Sequence, residues 1–201
     1  MTEPSREKLR ELYLPPSAAF TLVDVPELAY FAIDGRGDPG GAEFRSAVAW
    51  LFGVIRPFRR VARERMGRNF VEPPLEALFW SDDMCDLAAG RRERISWRVL
   101  VSAPDWISDD ELRAAAADLE ATRGAAPSSL RRWTHEEGRC AQILCVGPYE
   151  ELAAGVAARL HGEFLPAEGL TARDAHHEIY LDDPSRTPPP KRRTVVRQPV
   201  T

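Results

Sequence analysis

One succession of short elements occurs twice in this chain, in the same order, and that repetition restricts the fold more than any single motif. The first copy opens with "AFTLVDVPELAYFAIDG", two apolar runs broken at Val25-Pro26 that read as strands. From Ala42 the period lengthens: Phe44, Val48, Leu51, Phe52 and Ile55 fall on one face of a helix. Pro57 should kink or end that helix, because it lacks a donor and its ring collides with the preceding turn; a continuation reaches about Arg65. "PPLEALFW" (73–80) and "RISWRVLVSAP" (94–104) follow as strands. The second copy begins with "SLRRWTHEE" and "RCAQILCVG", read as a hairpin turning near Gly138. Gly147-Pro148 then opens a helix carrying Leu152, Val156, Leu160 and Phe164 at four-residue spacing. "HHEIYLDD" and "RRTVVRQPV" complete it as strands. Between the copies, Ser108-Asp109-Asp110-Glu111 has the S-x-x-E form of a capping box and starts a helix with Leu112, Ala115, Ala116 and Leu119 on its inner face.

The predicted fold is therefore α+β, a two-layer arrangement of duplicated ββαββ halves. Residues 18–105 and 127–201 form the repeats, a helix over 108–123 joins them, and 1–17 is a charged N-terminal arm. Each half supplies an antiparallel sheet, the halves are related by a pseudo-twofold, and a ligand cleft lies between them. Laying "PLEALFW" on "HHEIYL" sets Glu76 on Glu178 and Leu78 on Tyr180.

A length of 201 residues suits one substantial domain. The net charge of −4 argues against a nucleic-acid binder, which ordinarily carries a basic excess. The longest apolar run, Ala47 to Ile55, is far short of the ~20 residues a membrane span needs. "MTEPSREKLR" is charged and has no apolar core of a signal peptide. Cys85, Cys140 and Cys145 make no C-x-x-C pair and read as reduced thiols, so a cytoplasmic location is expected.

Gly35-Arg36-Gly37-Asp38-Pro39-Gly40 spells G-x-G-x-x-G, yet Pro39 lacks the N–H a phosphate needs and Asp38 would repel it. A tight turn using glycines for positive φ is the better reading. His176 and His177 are adjacent, so on a strand they face opposite ways and cannot chelate one ion; His135 and His161 are isolated, and no metal site is expected. The carboxylates carry more. Glu76 and Trp80 share one strand face, and Glu178 and Tyr180 share one face of the equivalent strand. If those faces meet at the cleft, with Trp97 and Trp106 as flat walls, a desolvated carboxylate there has a raised pKa suited to acid–base work. The alternative is a glutamate facing water from an exposed sheet, with Trp80 in an ordinary core.

"PPLEALFW", "ISWRVLVSAPDWIS", "CVGPYEE" and above all "HHEIYLDDPSRT…RQPV" closely resemble the GyrI-like small-molecule-binding family, and "REKLRELYLP…VDVPELAYFAIDGRGDP" resembles its stand-alone branch. The resemblance spans nearly the whole chain. It implies the duplicated fold with a cleft between halves, no cofactor, and a hydrolase that opens the cyclopropane ring of cyclopropanoid, yatakemycin-like genotoxins with water. It also implies an aromatic cleft with glutamate and tyrosine, for which Glu76, Trp80, Glu178 and Tyr180 are the matching positions. Phe79 stands where a glycine or second tryptophan is common, and His177 joins Trp80, Phe79, Trp97 and Trp106 as ligand-binding positions. The expected partner is an aromatic or cyclopropanoid small molecule. The rival reading is a module that sequesters flat hydrophobic or cationic compounds without turnover; a weaker one is an inhibitor acting on another macromolecule.

Overall fold

The computed structural model describes residues 5–67, 69–82 and 91–201, with the backbone alone for 150–154. Cys85 and the Leu152 side chain, both invoked above, lie outside the described residues.

Six strands close into one antiparallel barrel, in the order β1-β3-β2-β5-β6-β4. They are β1 (Thr21–Arg36), β2 (Leu75–Trp80), β3 (Ser96–Ser102), β4 (Arg131–Val146), β5 (His176–Tyr180) and β6 (Arg193–Pro199). The order keeps β1-β3-β2 together and mirrors it with β4-β6-β5, so the first and second segments meet at two seams, β1–β4 and β2–β5. The sheet is closed at both seams, and the space between the halves is a barrel interior. The chain is α+β, as its alternating patterns predicted.

Two expected strand pairs are single strands. β1 and β4 are each 16 residues long and pair through the positions that looked like breaks. Pro26 drops out of the ladder between Val25↔Gly138 and Glu27↔Glu136. It is tolerated because β3 joins β1 only from Tyr30 onward, leaving this part of β1 with one neighbour. The break signals mark a change of face. Val23 and Val25 pack inward with Leu12 and Cys140, whereas Tyr30 and Ala32 pack inward with Leu78 and Leu100, so the inward parity switches between Val25 and Leu28. β4 switches at Gly138, whose φ of 64° suits glycine. Glu137 is buried before it, Cys140 and Gln142 after it.

Helices cover the barrel in two layers. α2 (Ala42–Ile55) ends before Pro57 and α3 (Phe58–Met66) restarts after it, as the proline predicted. α4 (Asp109–Arg123) begins at Ser108, which forms the reciprocal capping box with Glu111. These three cover the outer faces of β1, β2 and β3, burying Phe31, Phe44, Trp50, Phe79, Trp97 and Val99 in one cluster. Trp97 crosses Gly35 so closely that a Cβ there would lie 2.1 Å from its ring, which explains the glycine at this end of β1. Gly37, with φ 108°, makes the following turn.

α5 (Tyr149–Arg159) has Pro148 at its N-cap, runs on through a π turn (Leu160–Phe164), and ends as α6 (Leu165–Glu168). This layer covers the outer faces of β4 and β6 through Ile143, Cys145, Val156 and Val196, and through Ala141, Leu160 and Leu165. The β2–β5 seam runs between the two layers. α1 (Arg6–Tyr13), capped by Ser5, sends Leu12 among the inward-facing Val23, Val25 and Cys140. No helix among the described residues is long and apolar enough to cross a membrane.

Candidate functional site

β2 and β5 pair with Ala77 opposite Glu178, Leu78 opposite His177 and Leu75 opposite Tyr180. Side chains alternate along a strand, so Glu76, Leu78 and His177 look into the barrel while Ala77, Phe79, His176, Glu178 and Tyr180 look out. The overlay of Glu76 on Glu178 is thus off by one residue, and a one-residue slip exchanges faces. The two glutamates do not meet in a common cleft.

The inner face holds a buried polar chain. Glu76, Glu137, His177, Arg197 and Gln142 are each at most 1 % exposed. His177 Nδ1 lies 2.9 Å from Glu137 Oε1. Its Nε2 is 3.0 Å from Glu76 Oε2, an ion-pair contact whose alignment falls short of a hydrogen bond. Tyr13 donates to Glu76 Oε1 at 2.8 Å. Arg197 donates to Glu137 Oε2 at 2.9 Å, to the Leu12 carbonyl at 2.7 Å and to Gln142 Oε1 at 3.2 Å. Gln142 donates to the Glu11 carbonyl at 2.9 Å. Burial alone would strip His177 of its proton, but Glu137 and then Glu76 outweigh it, and its pKa is pushed up to about 9. Glu137 resists burial in the same way and is held well below the usual carboxylate range by His177 and Arg197. At 1 % exposure and between two buried carboxyl groups, His177 is enclosed by protein in this structure rather than lining a surface site.

The outer face at the β2–β5 seam is where reactive groups reach the surface. Tyr180 donates to Glu178 Oε2 at 2.7 Å, and His176 Nε2 lies 3.6 Å from Glu178 Oε1. Tyr149, the first residue of α5, meets the Tyr180 ring edge-on at 5.1 Å. The Arg192 guanidinium sits 5.2 Å from the Tyr149 ring centre. Thr194, opposite Tyr180 on β6, is 2 % exposed and its hydroxyl has no hydrogen-bond partner among the described residues. Desolvation pushes the Glu178 pKa upward, but His176 and Tyr180, with His177 behind the strand, outweigh it, and the net shift is downward. The raised carboxyl pKa anticipated from aromatic burial is therefore corrected: Glu178 is a stable carboxylate. Desolvation and Glu178 together hold the Tyr180 proton in place well above the usual phenol range.

The expected aromatic positions are divided between the core and the barrel interior. Phe79 stacks with Phe44 at 6.2 Å and Trp97 meets Phe44 edge-on, both inside the core beneath α2. Trp106 packs against Phe58 and Phe70. Trp80 lies at the barrel's inner end with Arg98, whose guanidinium is 4.1 Å from the Trp133 ring centre and 5.7 Å from that of Trp80. None joins Glu178. Tyr149 and Thr194 were not singled out from the sequence, although Tyr149 sits in "CVGPYEE" and Thr194 in "RRTVVRQPV", and His176 was weighed only as a metal ligand. A hollow of about 360 Å³ beside α1, lined by Arg10, Leu14, Leu22 and Gln142, shares no residue with this cluster and has no buried orphan polar group of its own.

Between the two helical layers, a tyrosine-bound glutamate thus stands on the outer face of a barrel of mirrored strand order. The model of the GyrI-like small-molecule binding domain matches residues 18–201, and the chain belongs to that family. Among solved structures, an uncharacterized conserved protein from Listeria innocua is 30 % identical, with a TM-score of 0.81 over 97 % of this chain and 98 % of its own. A protein described as a hydrolase from Listeria innocua has the same identity and coverage, with a TM-score of 0.76. The EcmrR C-terminal domain, at 12 % identity, TM-score 0.56, and coverage of 91 % of this chain and 97 % of its own, shares the fold. Among curated proteins, none matches.

Proposed function

We propose that the protein is a cofactor-independent hydrolase that adds water across the strained cyclopropane of cyclopropanoid, yatakemycin-like alkylating compounds and so detoxifies them. The observation that carries this reading is the Glu178–Tyr180 pair at the seam, in a chain 30 % identical over nearly its full length to a structure described as a hydrolase. A cyclopropane conjugated to a dienone opens when a nucleophile attacks the ring carbon and charge moves to the carbonyl oxygen. Glu178 orients the attacking water and takes its proton. Tyr180 spends its one proton on Glu178 Oε2, so it fixes the carboxylate and leaves Oε1 for the water. Tyr149 and Tyr180 offer the aromatic edges against which a flat ligand lies. General-base help of this kind contributes about 10²–10⁴-fold.

A second reading has an observation of its own: an ionised carboxylate beside two tyrosines is also a counter-charge for a flat cation held without turnover. One experiment separates them. The protein incubated with a cyclopropanoid alkylator yields the ring-opened, water-added product, and Glu178→Gln loses at least 10²-fold in rate while retaining binding. Binding without product by the unaltered protein overturns the hydrolase reading.

A further inference from the structure

The two oxygens of Glu178 have different neighbours. Oε2 is filled by Tyr180, while Oε1 faces the His176 imidazole at 3.6 Å. That separation is longer than a hydrogen bond, but catalytic contacts commonly tighten once substrate is in place. His176 stands two residues before Glu178 on the same strand face, with 15 % of its side chain exposed. His161, on the π turn that follows α5, is near enough to His176 for their charges to interact. Burial, and then the nearby His176, hold His161 below the usual imidazole range. Turns of this type concentrate at functional sites. His161 is exposed to solvent. Glu178 on β5 faces His176, His161 on the π turn interacts with it electrostatically, and its partner across the seam on β2 is the apolar Phe79.

We infer that His176 is a positioning and proton-removing residue, which takes from Glu178 the proton that hydrolysis deposits there and delivers it toward His161 and solvent. The inference rests on the hydrolase reading above. In the first step the water oxygen bonds to the ring methylene carbon as one water proton passes to Glu178. The strained C–C bond breaks, and its electron pair moves through the dienone to give a phenolate. In the second step the proton leaves Glu178 for His176 Nε2 and exits, while the phenolate takes a proton from solvent; the sum is addition of one water. A carboxyl held below its ordinary range is a poor resting place for a proton, and the imidazole facing Oε1 gives that proton an acceptor on the same strand face, where only 16 % of the Glu178 side chain is exposed.

The test compares the unaltered protein with His176→Ala, His176→Gln, His161→Ala and Glu178→Gln on the same cyclopropanoid alkylator. The expected result is a 10- to 100-fold fall in kcat for both His176 variants. KM should stay within about threefold, and added imidazole should restore a substantial part of the rate to His176→Ala. His161→Ala should lose less and become sensitive to buffer concentration. His176→Gln keeps a polar side chain of similar reach, so it reports even where alanine disturbs β5. A kcat within twofold of the unaltered protein in both His176 variants, with no response to imidazole, overturns the assignment while Glu178 keeps its role. Full turnover by Glu178→Gln removes the base and the relay together. No product from the unaltered protein overturns the hydrolase reading itself.

Discussion

Glu76 and Glu178 stand on neighbouring strands of one sheet, one residue apart in register, and end in opposite surroundings. Glu76 points into the barrel, fully buried, held by Tyr13 and faced by the His177 imidazole. Glu178 points out between the helical layers, with 16 % of its side chain exposed, held by Tyr180 on one oxygen and faced by the His176 imidazole at 3.6 Å on the other. Both are partnered carboxyl groups in low-dielectric surroundings. What separates them is access: the inner one is enclosed by protein, and the outer one keeps part of its side chain at the surface. The difference teaches that burial of a charge does not by itself mark a functional group; the side of the sheet it faces decides what it can meet.

The contrast makes opposite demands on substitutions. Glu137→Ala at the centre of the inner chain strands His177 and Arg197 as buried cations, and should cost about 3–5 kcal/mol of stability. In a chain of this size that is about 2–4 °C of Tm per kcal/mol, read by thermal denaturation. Glu178→Gln should lose turnover with little change in Tm, so a large Tm loss there would break the distinction.

The pH dependence follows from the same inner pair. His177 has a folded-state pKa raised to about 9, above the ordinary imidazole value of about 6.5. Its contribution to stability is therefore complete below about pH 6.5 and is lost as pH rises through about 9. Urea unfolding at pH 6, 8 and 10 should show this alkaline decline, and His177→Gln, though less stable throughout, should flatten it. Glu137 is depressed, so its contribution holds above the ordinary carboxylate range and falls away in acid.

The smallest expected effect is at the arm. Tyr13→Phe removes the donor to Glu76 Oε1 and leaves that oxygen buried without it, for about 1–3 kcal/mol. Turnover per folded molecule should not change. A Tyr13→Phe protein that unfolds in urea with the midpoint of the unaltered chain would show that α1 is not fastened through Glu76.

The family resemblance lay in stretches that serve both faces. "HHEIY" supplies His177 to the interior and His176, Glu178 and Tyr180 to the seam, and "RQPV" supplies Arg197, the interior cation. Glu178 and Tyr180 were legible because alternation on a strand depends only on sequence position. The pairing of Glu76 with Glu178 misled because an overlay of two weakly similar strands fixes the register only to within a residue, and one residue decides the face. The surroundings of the aromatics were not legible because "ISWRV" gives no sign of which side α2 covers; Trp97 lies under Phe44. Tyr13 and Glu137 carried no local signal, since each acquires its role from residues more than 35 positions away.

Helix positions, the Ser108 capping box, the break at Pro57 and the alternation along β5 were written in the sequence itself, because each depends on contacts within a few residues. Closure of six strands into a barrel, the joining of apparent hairpins into single long strands, and the sorting of two glutamates to inside and outside were decided only by tertiary structure. Those depend on which strands become neighbours, and a neighbour distant in sequence leaves no periodicity behind.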